Sequence, residues 1–299
     1  MGVGVRRVKS FDGTVLEVWN QMNRVPKVVL SAGWRMDRYD ELVILAKRLA
    51  IGASEIINVA SKSAFSIATK SNSNDMVTEI DKLAEQYLVS EILKVRSNDS
   101  IFGEEGANYL GTSGISWVID PIDGTTNFIY GIPNYAVSIG IKEGETVIVG
   151  VVSNIPENVL YTGCIGGGAY KNSQPIHVRS AARFENSLIG TGFGYSSSYR
   201  RVQAQFLKEL IGEVRDIRQT GAASLDLCHL AEGRLDGYFE GGLWPWDFTA
   251  AALIVREAGG VVIGAEQDDP SEEMTIAASN VKLAQFLRSK FLKSTSRMV

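Results

Sequence analysis

In the stretch WVIDPIDGTTNF, residues 117–128, an apolar run ends on Asp120, Pro121 follows, and a second carboxylate arrives at Asp123. A carboxylate held against a core is costly unless it is paired, hydrogen-bonded or metal-bound. Other acids stand at predicted element ends: Asp75 and Asp81 in DMVTEID, Glu104 and Glu105 in GEEG, and Asp247 in WPWDFTAA. Capping alone would explain Asp247, which opens a predicted helix. Asp120 resists that explanation, because Trp117, Val118 and Ile119 precede it and Pro121 stiffens the turn behind it. Carboxylate and carbonyl oxygens, without histidine or thiolate, suit hard divalent cations, and Mg2+ takes them at about 2.0–2.1 Å. Two such ions about 3.5–4 Å apart clamp the attacking and leaving oxygens of a phosphoryl transfer. Asp120 and Asp123 can supply a bridge and a further ligand, with the Ile122 carbonyl between them facing the same ion. Gly124-Thr125-Thr126-Asn127 then offers backbone N–H groups of the kind that bind phosphate.

The elements that must position these groups follow from periodicity. Leu42, Leu45, Ala46, Leu49, Ala53, Ile56, Ile57 and Ala60 recur at helical spacing, with Asp37 and Asp40 at the N-terminal end. A second helix carries Val77, Ile80, Ala84, Tyr87, Leu88 and Ile92 on one face. SIFGEEG and GISWVID read as strands, the second ending on Asp120. Residues 135–178 read as a strand meander broken at Glu143-Gly144, Pro156-Glu157-Asn158 and Asn172-Ser173-Gln174. From 181 onward strands and helices alternate. The expected fold class is therefore layered α+β and α/β. We expect an N-terminal extension over 1–35 and one compact unit over 36–299, with a helix-plus-meander half (36–180) and an alternating half (181–299).

Composition narrows the function. The 299 residues are 45% hydrophobic, and no apolar run is long enough to span a membrane. Residues 1–35 carry a net charge of +4 and the remainder −8. A net-acidic body is a poor surface for nucleic acid and a good one for cations. Two cysteines, Cys164 and Cys228, lack CxxC spacing and read as buried reduced thiols of a cytoplasmic protein. Only His177 and His229 are present, and no GxSxG occurs, so a histidine triad has no support. GGG at 166–168 and GTGFG at 190–194 lack the P-loop and GxGxxG patterns and read as turns or close backbone approaches.

Together, DMVTEID, GEEG, WVIDPIDGTTNF and GYFEGGLWPWDFTAAALIVREAGG resemble the inositol monophosphatase family of Mg2+-dependent, lithium-sensitive phosphatases. The resemblance covers roughly residues 37–292 and leaves 1–35 without a counterpart. It implies an αβαβα sandwich, a homodimer and two or three Mg2+ ions per site. By position, it implies that Glu104, Asp120, the Ile122 carbonyl, Asp123 and Asp247 hold metal. Glu104 and Thr125, with Asp81 behind Thr125, would orient the attacking water. Asp120, Asp123, Gly124, Thr125, Gly221, Ala222, Ala223, Glu240 and Asp247 would face the substrate. Lys70 and Asp75 match a loop ahead of the second helix. The implied reaction is in-line hydrolysis of a phosphate monoester without a phosphoenzyme, with myo-inositol phosphate the expected substrate. Histidinol-phosphate phosphatases, fructose-1,6-bisphosphatases and nucleotide 3'-phosphatases belong to the same superfamily and are the alternatives the resemblance leaves open, and a silent metal-binding scaffold is the alternative outside enzymology. Trp244 departs from the family pattern, where a smaller or basic residue is common.

Overall fold

The computed structural model describes residues 38–62, 67–69, 76–179, 183–266 and 268–295. The 1–35 extension, Asp37, Lys70 and Asp75 lie outside them. The periodic apolar residues fold as α1 (Asp40–Ala60) and α2 (Glu79–Val95), which bury their faces in one core, except Val77: expected on the second helix, it lies on a short strand, because Thr78 caps the helix that follows. That core is completed by Ile101 on β3 (Ser100–Gly103), Trp117, Ile119 and Ile122 on β5 (Ile115–Asp123), and Val137, Ile139 and Ile141 on β6 (Ala136–Glu143). A hairpin of β1 (Ile67–Thr69) and β2 (Met76–Thr78) leads into α2.

The meander forms an eight-stranded sheet. Beyond β6 it continues through β7 (Thr146–Asn154), β8 (Val159–Cys164), β9 (Gly168–Lys171) and β10 (Gln174–Pro175). On the other side of β5 come β3 and the edge strand β4 (Asn108–Tyr109). Neighbours are antiparallel except β3 and β5, which run parallel. A short helix, α3 (Thr125–Tyr130), leaves the end of β5. The alternating half builds β11 (Leu188–Thr191), α4 (Ser197–Leu210), β12 (Asp216–Gln219), α5 (Ala223–Ala231), β13 (Gly237–Glu240), α6 (Pro245–Glu257), β14 (Val261–Ile263), β15 (Thr275–Ala278) and α7 (Val281–Thr295). Its five strands form a second sheet in the order β12-β11-β13-β15-β14.

Core membership gives the layer order. One cluster joins Ala136, Val152 and Tyr161 of the large sheet to α5, α6 and Tyr238, Val262 and Ala277 of the small one. The α4 and α7 helices pack on the far face of the small sheet through Phe206, Leu210, Leu283, Leu287 and Phe291. The layers therefore run α1/α2, large sheet, α5/α6, small sheet, α4/α7: an αβαβα sandwich, as expected. The middle helices sit close because Gly140, Gly150 and Gly163 lie side by side across β6, β7 and β8. A Cβ added at Gly150 would stand 2.2 Å from the Ala250 carbonyl oxygen of α6, and one at Gly140 would stand 2.6 Å from Thr249.

Cys164 and Cys228 are both buried, and no disulfide joins them. Among the described residues no helix is long and apolar enough to cross a membrane.

Candidate active site

The strand that opened the sequence argument does not stop at Asp120. It continues through a register shift to Asp123. Asp120 pairs with Ser138 and Asp123 with Ala136, so three steps on β5 match two on β6. This is a β-bulge, and Pro121 sits in it because proline cannot donate to the ladder. The bulge has a chemical result. Residues three apart on a regular strand face opposite sides, but here both carboxylates face the middle layer. Asp123 reaches α5, and Ser138, opposite Asp120, donates to the Trp246 carbonyl at the start of α6 at 3.3 Å. Ile122, between them, turns into the outer core instead.

Each acid is held by its own element. The Glu104 amide donates to the Ile119 carbonyl at 3.2 Å, which sets the GEEG turn beside the end of β5. Glu85 of α2 fixes the rest of that turn by accepting from the amides of Glu105 at 2.8 Å and Ala107 at 2.9 Å. Asp81 is the third residue of α2 and forms a capping box with Thr78, whose amide donates to Asp81 Oδ2 at 2.9 Å. Its other oxygen lies 3.2 Å from the Thr125 hydroxyl. That hydroxyl is also 2.9 Å from the Ile122 carbonyl, and its single proton serves one of them at a time. Asp123 accepts from the amides of Ala223 at 3.2 Å and Ser224 at 2.8 Å, and from the Ser224 hydroxyl. It thereby caps α5, a job the sequence pattern does not disclose. Asp247 accepts from the Trp244 amide at 2.6 Å. Gly124, with φ of 89°, turns the chain from β5 into α3 where a Cβ would lie 3.0 Å from the Asn134 carbonyl oxygen.

The electrostatics are those of crowded acids. Burial pushes Asp120 well above the usual carboxylate range, and Glu104, Asp123 and Asp247 push it further. Asp247 is raised in the same way, by burial and then by Glu104 and Asp123, against the Trp244 bond. Asp123 is raised to about 7 by burial, with the Ser224 and Ala223 bonds opposing. Burial likewise raises Asp81 despite its bonds from Thr78. Among the described residues no three histidine, cysteine or acidic side chains are drawn in closely enough to hold one ion between them. Like charges side by side repel, and Asp81, Asp123 and Asp247 each turn to a nearby N–H or O–H donor. The donor set nevertheless fits a hard cation. Asp120 Oδ1 is buried without a hydrogen-bond partner, and a buried oxygen of this kind among mutually destabilised carboxylates is what a cation would satisfy.

A cavity of about 710 Å3 opens over these acids. Glu104, Asp123, Gly124, Thr125, Gly221, Ala223, Glu240 and Asp247 line it, while Asp120, Ile122, Asp81 and Ala222 stand behind the lining. Neither histidine reaches it. Glu240 ends β13, is raised to about 8 by burial, and accepts from the Tyr238 hydroxyl. The stretch GTGFG, expected to be a turn or a close backbone approach and not part of the site, supplies Gly192, Phe193 and Gly194 as a wall of the cavity. The glycines are the available sign: a Cβ on Gly192 would collide with the Glu240 carboxyl. Tyr130, Ile132, Tyr195, Arg200, Gln219, Thr220, Trp244 and Trp246 were also outside the expected set.

Residues 38–296 match the model of the Inositol monophosphatase family. The chain belongs to this family. Inositol-1-monophosphatase SuhB of Mycobacterium tuberculosis is 41% identical over 206 residues, which are 66% of this chain and 71% of the relative. Nus factor SuhB of Escherichia coli is 41% identical over 197 residues, 65% of this chain and 74% of that protein. The crystal structure of the extragenic suppressor protein SuhB from Bartonella henselae superposes with a TM-score of 0.80 at 31% identity, covering 84% of this chain and 98% of that one. As an inositol monophosphatase family member, the protein is a phosphatase, and its layered sandwich is the family's fold.

Proposed function

We propose that the protein hydrolyses phosphate monoesters of small polyols, with inositol 1-phosphate the first substrate to test, and that it needs Mg2+ to do so. One observation carries this reading: Glu104, Asp120, Asp123 and Asp247, drawn from three distant parts of the chain, crowd beside one cavity with a buried Asp120 oxygen left unpartnered. Glu104, Asp120, the Ile122 carbonyl, Asp123 and Asp247 are the groups that would hold the ions. Bound there, Mg2+ would supply Lewis-acid stabilisation of the charge that develops on the phosphate and leaving oxygens. The Thr125 hydroxyl donates its proton to Asp81, which leaves its lone pairs to accept from a water and aim it. Glu104 flanks the same water from the turn fixed by Ile119. The N–H groups of Gly124 and Thr125 receive the phosphate, beside Gly221, Ala222 and Ala223 at the start of α5. Glu240 meets the hydroxyls of the leaving alcohol, and next to Tyr238 it offers both an acceptor and, below about pH 8, a donor.

The reading treats residues 36–299 as one working unit, which is supported by α6 packing on both sheets. It places the protein in the cytoplasm, where two buried thiols stay reduced, and follows the family resemblance in expecting a homodimer. Phosphate release from inositol 1-phosphate, histidinol phosphate and fructose 1,6-bisphosphate, with Mg2+, with EDTA and with added Li+, tests it. Release that needs Mg2+, is blocked by EDTA and favours the inositol ester is the expected result. No release from any ester, or equal release in EDTA, overturns the reading.

A further inference from the structure

The cavity has a second chemical character that its acids do not explain. Trp244 and Trp246 stack with ring centroids 5.6 Å apart and planes 15° from parallel. Both line the cavity, and Trp244 keeps 48% of its surface exposed even while stacked. Phe193 and Tyr195 line it as well, on the loop that leaves β11. The two aromatic loops adjoin: a Cβ on Gly194 would stand 2.9 Å from the Gly241 carbonyl oxygen and 3.6 Å from Gly242 Cα. Four rings thus come from two adjoining segments, the loop after β11 and the start of α6.

This wall is fixed, and it is joined to the acid cluster. Pro245, between the two tryptophans, restricts the backbone there and opens α6. Trp246 directly precedes Asp247, and the Trp244 amide donates to the Asp247 carboxylate at 2.6 Å. A group leaving a phosphate received at Gly124 and Thr125, beside Asp247, therefore departs near these rings. An exposed indole stacked in a rigid loop offers a flat, electron-rich face at little entropic cost. A volume of about 710 Å3 also falls in the range of about 300–1,000 Å3 that takes drug-sized ligands, more than a single polyol phosphate needs.

We propose that the Trp244–Trp246 stack is a specificity wall, and that among phosphate monoesters whose alcohol has no further hydroxyl for Glu240, this protein prefers those carrying an aromatic ring. The ring adds a third layer to the stack, on Trp244, while the phosphate lies at the acid cluster. The inference rests on the phosphatase reading above and adds a second class of ester, held by the rings where the polyol esters are held through Glu240.

The test compares 2-phenylethyl phosphate with butyl phosphate in kcat/KM, and 4-nitrobenzylphosphonate with butylphosphonate in binding, read by quenching of tryptophan fluorescence with Mg2+ and with EDTA. The native protein should favour the ring roughly 3–10-fold in kcat/KM, the size of an aromatic stacking preference, with the difference in KM. In Trp244→Ala and in Trp244→Leu, which keeps apolar bulk without a flat face, the ratio should fall to about one. Trp244→Phe should retain most of it. Turnover of both esters at equal kcat/KM, with equal phosphonate binding, overturns the wall and leaves the phosphatase reading standing. So does a ring preference that survives in Trp244→Leu. Ring-selective phosphonate binding that is lost in Trp244→Ala, with no ester turned over, inositol 1-phosphate included, supports the wall and overturns the Mg2+-dependent reading instead.

Discussion

Gly150→Ala adds one methyl group at the contact between the large sheet and α6. Its Cβ would stand 2.2 Å from the Ala250 carbonyl oxygen, where ordinary van der Waals contact begins at 3.4 Å. The obstacle is helix backbone, which cannot rotate away as a side chain does. Nor can α6 simply rise, because Val262 and Ala277 of the small sheet pack on its other side. Overpacking of this kind costs about 1–3 kcal/mol. For a chain of this length each kcal/mol lowers Tm by roughly 2–4 °C. The larger effect should fall on turnover. Any shift of α6 carries Asp247 away from Asp120 and Glu104, and a misplacement near 1 Å can cost about 100-fold. Urea midpoints with unchanged m values measure the first effect, and steady-state phosphate release measures the second. Gly212→Ala is the control, since nothing lies within 4 Å of a Cβ there. A Gly150→Ala protein with native midpoint and native kcat would refute the idea that the glycine row sets the height of α6.

Asp120→Asn should abolish turnover while circular dichroism stays native; in EDTA it should melt no lower than the native protein, since it relieves repulsion among buried acids, and Mg2+ should no longer raise its Tm. Thr125→Val should lower kcat roughly 100-fold or more, whereas Thr125→Ser, which keeps the hydroxyl beside Asp81, should retain most activity. Asp99 gives a pH prediction away from the site. Burial pushes its carboxyl up, but bonds from Arg96, Ser113 and Trp117 Nε1 outweigh this and hold it below the usual range. A depressed folded pKa stabilises above the unfolded value of about 3.9 and is lost as pH falls through the folded one. Urea midpoints should therefore fall for the native protein below about pH 4, and Asp99→Asn should be less stable at pH 7 with a flatter acid limb; parallel curves would contradict this.

The parts of the site legible in the sequence are those where chemistry and locality coincide. DPIDGTTN, GEEG and WPWD each state a local problem, an acid beside apolar residues, and each has its acid at the cavity or just behind it. The helices of the outer layers were equally legible, because Leu49, Leu88 and their neighbours repeat with the helical period. Other features depend on partners distant in the chain. The β5 bulge appears only when the strand is set against β6. That Asp123 caps α5, a hundred residues away, leaves no trace near Asp123 itself. The two-residue strand β4 and the three-residue strands β1, β2 and β14 are too short to show a period. Gly192 and Gly194 read as turns or close backbone approaches; the second holds, but that Glu240 and Gly241 are what approaches them leaves no trace nearby in the sequence.

The bulge between Asp120 and Asp123 makes the motif a matter of counting as well as of spelling. Parity decides which side of a sheet a side chain serves, and the extra residue turns an odd separation into an even one. Deleting Pro121 or Ile122 would keep both acids and nearly all of the composition while breaking the match of three residues to two. A frame-preserving insertion or deletion within DPID is thus a heavier lesion than a substitution there that spares the acids. The four-letter word must keep its length for its two charges to face the same layer.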